Sequence, residues 1–183
     1  MSAPLTDFAE RCEECGFSYA GHDRAMLPDE LHAAAEVVAK RLTAGEPHED
    51  WLKRLRWRPA PDVWSALEYA CHVRDVLLMQ RERLFLAQVE EGPVFKPMYR
   101  DERVALDGYN EQTPADVASA ISVAAGLFRG AVLPFDHGAW QRTCEYAFPN
   151  PAKRNLLWVV VHTLHEMRHH LFDIDRDLAA AGS

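Results

Sequence analysis

Apolar residues recur at three- and four-residue steps along four stretches of the chain, the spacing of helices with one buried face. The first stretch opens at Pro28, carries Leu31, Ala35, Val38 and Leu42, and stops at Gly45. "RPAPDVW" leads into the second, about residues 62–90, where Val63, Leu67, Ala70, Val73, Leu77, Leu84 and Val89 form the stripe and Gly92-Pro93 ends it. Thr113-Pro114 is a capping residue followed by proline at the first helical position, and it starts the third helix, "ADVASAISVAAGLFRGAVL". Asn150-Pro151 repeats that signal and opens a fourth helix that runs to about Leu178. Between these lie a polar connector with one short helix, "FKPMYRDERVALDGYNEQ", and an irregular stretch, "PFDHGAWQRTCEYAFPNP", with room for a short extended pair. No period-two alternation is long enough for a substantial sheet. The expected architecture is all-α: an antiparallel four-helix bundle over residues 28–178, preceded by an N-terminal arm, residues 1–27.

Composition narrows the function classes. At 183 residues the chain suits one well-buried domain, residues 1–183. Its formal net charge is −8, and the short cluster Arg54, Arg56, Arg58 is its densest basic run. Nucleic acid and anionic membranes need clustered Lys and Arg, so neither is an expected partner. No apolar run of the ~20 residues needed to span a bilayer is apparent. "MSAPLTDFAERCEEC" has neither the basic nor the apolar region of a secretory signal. A cytoplasmic protein is expected, with Cys12, Cys15, Cys71 and Cys144 as reduced thiols or ligands.

"VVVHTLHEMRHHLFDI", residues 159–174, holds four of the chain's nine histidines. Trp158, His162, His165, His169 and Phe172 follow one another at steps of four, three, four and three, which places them along one helix face. The flanking aromatics suggest that this face points inward. Buried imidazoles need a partner for each ring nitrogen, and helix backbone is already paired, so a metal would satisfy several of them together. Ordinary core histidines with bound water are the plainer alternative. In the second helix His72 stands alone among apolar neighbours, with Glu68 and Asp75 on its face. One histidine from a facing helix added to the pair His165/His169 makes a three-ligand site with an open position for water or substrate. Asp75 could orient His72 and Asp173 could orient His169, as carboxylates beside ligand histidines do, or both could sit on a solvated helix face.

The tryptophan at the start of the second helix, the histidine in "EYACHVRDVL" and the late "HEMRHHLFDI" together resemble the DinB-like family. That family comprises metal-binding four-helix bundles and includes thiol-dependent S-transferases and mycothiol-dependent maleylpyruvate isomerase. The resemblance covers residues 28–178. It implies a metal triad of His72, His165 and His169. The maleylpyruvate isomerase branch instead resembles a Glu-x-x-x-His pair, which Glu166 and His170 match. The two pairs lie ~100° apart on a helix, so only one can face His72. Many family members close this motif with Arg-Gly-Gln, where this chain has His170-Leu171-Phe172.

His165-Glu166-Met167-Arg168-His169 also reads as the H-E-x-x-H of metalloproteases. No later helix returns a further ligand and no sheet is expected to align a peptide, which weighs against that reading. "RCEECGF" has the form of half a zinc knuckle. The second half would have to come from His22 or the bundle. A redox pair, or a tight turn that docks Phe17 and Tyr19, are the alternatives. No second equivalent of zinc is expected, because two of its four ligands have no visible candidate. Cys71 turns ~100° away from His72 and reads as a small core residue.

The resemblance implies one divalent metal, zinc or nickel, and transfer of a low-molecular-weight thiol to or from a small electrophilic substrate. Trp64, Tyr69 and Trp140 are expected around that substrate, with Glu166 or Glu68 moving protons. The other readings are a metal-dependent hydrolase using water, and a metal- or small-molecule-binding bundle without turnover that acts through homodimerisation.

Overall fold

The computed structural model describes residues 11–45, 48–147 and 151–182. Its helices are α1 (Leu27–Thr43), α2 (Glu49–Arg56), α3 (Ala66–Val89), α4 (Arg100–Leu106), α5 (Pro114–Val132), α6 (His137–Gln141) and α7 (Leu156–Ala180). The four long ones, α1, α3, α5 and α7, form the bundle. Helix α1 has Pro28 in its first turn, Asp29 and Glu30 beside it, and Lys40 and Arg41 in its last turn, charges that suit the helix dipole. Helix α3 opens with a reciprocal cap. The Ser65 hydroxyl accepts the Glu68 N–H at 3.2 Å, and the Glu68 carboxylate accepts the Ser65 N–H at 2.7 Å.

Helix α7 begins later than the proline signal implies. Asn150 lies outside the described residues, and Pro151 is not helical. Residues Ala152–Asn155 form strand β3, and Asn155 then caps α7 by accepting the Trp158 N–H at 2.9 Å. Strand β3 pairs antiparallel with β2 (Thr143–Tyr146), so the extended pair expected within the irregular stretch has only its first strand there and its second in what was expected to open the fourth helix. A two-residue strand, β1 (Val94–Phe95), adds to β2 in parallel with Phe95 opposite Tyr146. Its Phe95 is the first residue of the polar connector, and two residues are too few to show any alternation in sequence.

Around the bundle, α1 packs most closely against α5 and α7, and α3 packs against the same two. Consecutive bundle helices α1 and α3 are therefore diagonal partners, as are α5 and α7. Both diagonal steps use long connections, residues 44–65 with α2 and residues 133–155 with α6, β2 and β3. Contrary to the expectation that no stretch is apolar enough, α5 is by length and composition able to cross a membrane. Here Val117, Ile121, Ala125, Phe128 and Val132 of α5 are instead buried in the bundle core.

Candidate metal centre

The inward stripe of α7 is not the aromatic and histidine one. Trp158 is 5 % exposed but Phe172 is 46 % exposed, so that row begins in the core and ends in solvent. This row and the one that stays buried both repeat every 3.5 residues, so its phase on the helix, not its spacing, carries its far end off the core face. The row that stays buried is Leu156, Val160, Thr163, Met167, His170 and Ile174. His170 is in phase with it. The apolar periodicity of α7 was the signal for this register, and the histidines distracted from it.

The expected set of His72, His165 and His169 is accordingly not brought together. His72 of α3 meets Glu166 and His170 of α7, the isomerase-like alternative. The Glu166 Oε2 atom lies 3.6 Å from His72 Nε2 and 3.4 Å from His170 Nε2. These separations are long for charge-assisted hydrogen bonds, which run ~2.7–2.9 Å. They suit ligands that share an ion, because donors ~2.0–2.1 Å from a tetrahedral zinc are ~3.3–3.4 Å apart. The donor set of two imidazoles and one carboxylate fits zinc or another first-row divalent ion.

The surroundings orient this set. Asp173 Oδ2 sits 3.0 Å from His170 Nδ1, and the other carboxylate oxygen, Oδ1, is held by Arg176 at 2.8 Å. That leaves Nε2 of His170 to face Glu166. Asp173 thus serves His170 in place of His169, from which it is 3.7 Å away. Asp75 does not serve His72. It accepts from the Tyr109 hydroxyl and from Arg74 at 2.7 Å, with Arg103 at 3.5 Å. Glu68 is occupied by the α3 cap and by an ion pair with Arg58, so it moves no protons in the site. Trp64 packs edge-on against His72, and Tyr69 stacks on His170, with ring centroids 5.2 and 5.3 Å apart. Both lie behind the triad and outside the cavity lining, and Trp140 packs on Phe135. Cys71 is the buried core residue expected, its thiol pushed up to about 12 by burial.

Charge balance supports a cation here. Burial alone would lower His170, but Asp173 and Glu166 outweigh it and raise the imidazole to about 9. Burial would likewise raise Glu166, but His170 and His72 hold it well below the usual carboxylate range. His72 is lowered, chiefly by burial. In the metal-free chain a proton on His170 therefore stands between two carboxylates where a divalent ion would be better matched. The triad opens onto a cavity of about 660 Å³ that Met79, Tyr146, Met98 and Arg100 also line.

Residues 51–174 match the model of the DinB superfamily, more than half of the chain. The chain belongs to the DinB superfamily. The four-helix bundle is similar to YfiT from Bacillus subtilis, described as "a probable metal-dependent hydrolase with an unusual four-helix bundle topology". The TM-score is 0.64 at 18 % identity, over 81 % of this chain and 86 % of that one, a likeness of fold. No curated protein matches the sequence.

In this DinB-superfamily chain His165 and His169 lie on the flank of α7 that the N-terminal arm covers. The Tyr19 hydroxyl is 2.9 Å from His165 Nδ1 and 3.0 Å from His162 Nδ1. Phe17 is buried against the His165 ring, with centroids 5.3 Å apart. The tight turn that docks Phe17 and Tyr19 is therefore present. It also brings Cys12 and Cys15 to His165 and His169, with one ligand atom from each of the four within 4.8 Å of the others. Burial lowers His165 to about 4, which keeps it a neutral imidazole. Burial pushes the Cys15 thiol up to about 11, the opposite of what a nucleophilic or redox thiol needs. His22, the other partner considered for these cysteines, turns instead to the Ser18 carbonyl at 2.8 Å and to Glu30 at 3.6 Å.

Proposed function

We propose that this protein is a metal-dependent enzyme that holds one divalent ion on His72, Glu166 and His170. Its reaction transfers a low-molecular-weight thiol to or from a small electrophilic substrate in the adjoining cavity. The observation that carries the metal is the spacing of 3.4 and 3.6 Å between Glu166 Oε2 and the two Nε2 atoms. The thiol follows from the family resemblance, and a cavity of about 660 Å³ has room for a thiol and a small second substrate. A divalent ion at this place supplies Lewis acidity, favouring the deprotonated form of a thiol or water near neutral pH.

The chain's own residues do the rest. Asp173 fixes the His170 tautomer, and Trp64 and Tyr69 exclude water behind the ligands. Glu166, which the H-E-x-x-H reading would make a base, is a ligand in this proposal. Tyr146 lines the cavity, and its hydroxyl oxygen is held in place by neighbouring donors. That oxygen accepts from Gln80 at 2.6 Å and from Arg83 at 3.2 Å, so its own proton is free to be donated to a substrate oxygen. Burial pushes the hydroxyl up to about 12 and keeps it neutral.

The likeness to YfiT supports a second reading with water as nucleophile. One screen of the metal-loaded protein separates the two, pairing small electrophiles with and without each of several cellular thiols. Product that forms only with a thiol supports transfer, and equal turnover without it supports hydrolysis. Tyr146→Phe should slow whichever reaction is found. Absence of turnover from a fully metal-loaded chain with every pair would leave a binding protein and overturn the proposal.

A further inference from the structure

The Cys-x-x-Cys of the arm lies outside the triad, and its geometry is that of a closed site. Gly16 turns the chain in the left-handed region (φ 72), where glycine carries no side-chain penalty. The Cys12 N–H donates to the Phe17 carbonyl at 2.8 Å and the Gly16 N–H to the Cys12 carbonyl at 2.9 Å. The turn directs both thiols at the i, i+4 pair His165/His169. Cys12 Sγ is 3.6 Å from His169 Nδ1. A sulfur ~2.3 Å and a nitrogen ~2.05 Å from one tetrahedral zinc would be ~3.6 Å apart.

The second nitrogen of each imidazole decides between an ion and a simple thiol hydrogen bond. His169 Nε2 is 3.3 Å from the Glu14 carboxylate, an acceptor that keeps the proton on Nε2 and leaves Nδ1 as a lone pair. His165 Nδ1 is engaged by Tyr19 at 2.9 Å, while its Nε2 is buried with no hydrogen-bond partner. A thiol bonded to His169 would leave that His165 nitrogen unsatisfied, at a cost of about 1–3 kcal/mol. A shared cation satisfies it.

We infer that Cys12, Cys15, His165 and His169 form a second metal site, a four-ligand zinc site that fastens the N-terminal arm to α7. In this inference His165 and His169 supply the second half of the knuckle, against the expectation of no second zinc. Two protein thiolates and two imidazoles fill a tetrahedral shell, so this ion is structural, whereas the three-ligand set around His72 leaves a position open. Its consequence is local. Arg11, Cys12, Glu13, Glu14 and Tyr19 form one wall of the cavity beside the triad, and the ion holds that wall in place.

The test is metal content and cobalt spectroscopy of the full chain. Zinc-loaded wild-type protein should carry two equivalents per chain, and the cobalt-substituted protein should show intense near-ultraviolet thiolate-to-cobalt charge transfer. C12S/C15S should lose one equivalent and the band. H170Q should lose the other equivalent and keep the band, so failure of the triad and failure of this site are distinguishable. A retained equivalent also reports that the C12S/C15S bundle is folded, and the wild-type band needs no variant at all. A wild-type chain without the charge-transfer band, or a double variant that keeps both ions, overturns the inference.

Discussion

Replacing His170 by Gln tests which register of α7 faces the triad, because His169→Gln, one residue along, is its own control. Gln at position 170 removes the Nε2 donor 3.4 Å from Glu166 and leaves Asp173 without the imidazole that it orients. Zinc bound by four protein ligands is worth about 10–16 kcal/mol, roughly 2.5–4 kcal/mol per ligand. Loss of one triad ligand should therefore weaken binding by on the order of 100- to 1000-fold, since 1.4 kcal/mol is a factor of ten. His169 meets this centre only through a 3.7 Å approach to Asp173. His169→Gln should change affinity there by less than about tenfold, the lower end of the effect of a residue behind the ligands. Both substitutions belong in the C12S/C15S background, so that a competition titration against a chromophoric chelator counts a single ion. If His169→Gln costs more than His170→Gln, the ion sits on His165 and His169 and the reasoning from the buried stripe fails.

Asp173→Asn keeps the size of the side chain but removes the charge that holds His170, and should weaken metal binding by about 10- to 100-fold, measured by the same titration; an unchanged affinity would mean that Asp173 orients nothing. In metal-free protein the raised His170 means that folding takes up a proton. The contribution of His170 is full below about pH 6.5 and is lost as pH rises toward about 9, whereas the depressed Glu166, Asp173 and His72 lose theirs as pH falls. Thermal melts with chelator should show that decline and zinc-loaded protein should not, whereas parallel curves would contradict the charge balance drawn for the site. Ser65→Ala removes the α3 cap and should lower stability by about 1 kcal/mol in denaturant unfolding, with the His72 site's affinity unchanged. A large loss of metal binding would make the cap part of the site.

The bundle was legible in the sequence because helix periodicity and capping chemistry are local. Leu31, Ala35, Val38 and Leu42 are buried on α1 as their spacing implies, and Thr113-Pro114 starts α5. His72 and the histidine-rich end of α7 could be picked out for the same reason, as could the DinB resemblance. What periodicity could not carry was the pairing of elements distant along the chain. Asn155 begins α7 in place of Pro151 because β3 first pairs with β2, a contact between strands that neither strand's sequence announces. The diagonal placement of α1 against α3 depends on long connections whose path no local pattern encodes.

The choice between His165/His169 and Glu166/His170 was likewise tertiary. Both pairs have ligand spacing, and only the packing of Met167 and Ile174 into the core rotates His170 toward His72. The other pair is not idle for that reason. A helix has two flanks beside its buried face, and the arm closes on the second, where Cys12 and Cys15 reach His165 and His169 across some 150 residues of chain. The sequence by itself determined that thiols, imidazoles and carboxylates were present on helical spacings. Which of them share a volume small enough for one ion was decided by the register of α7 against α3 and by the docking of the arm.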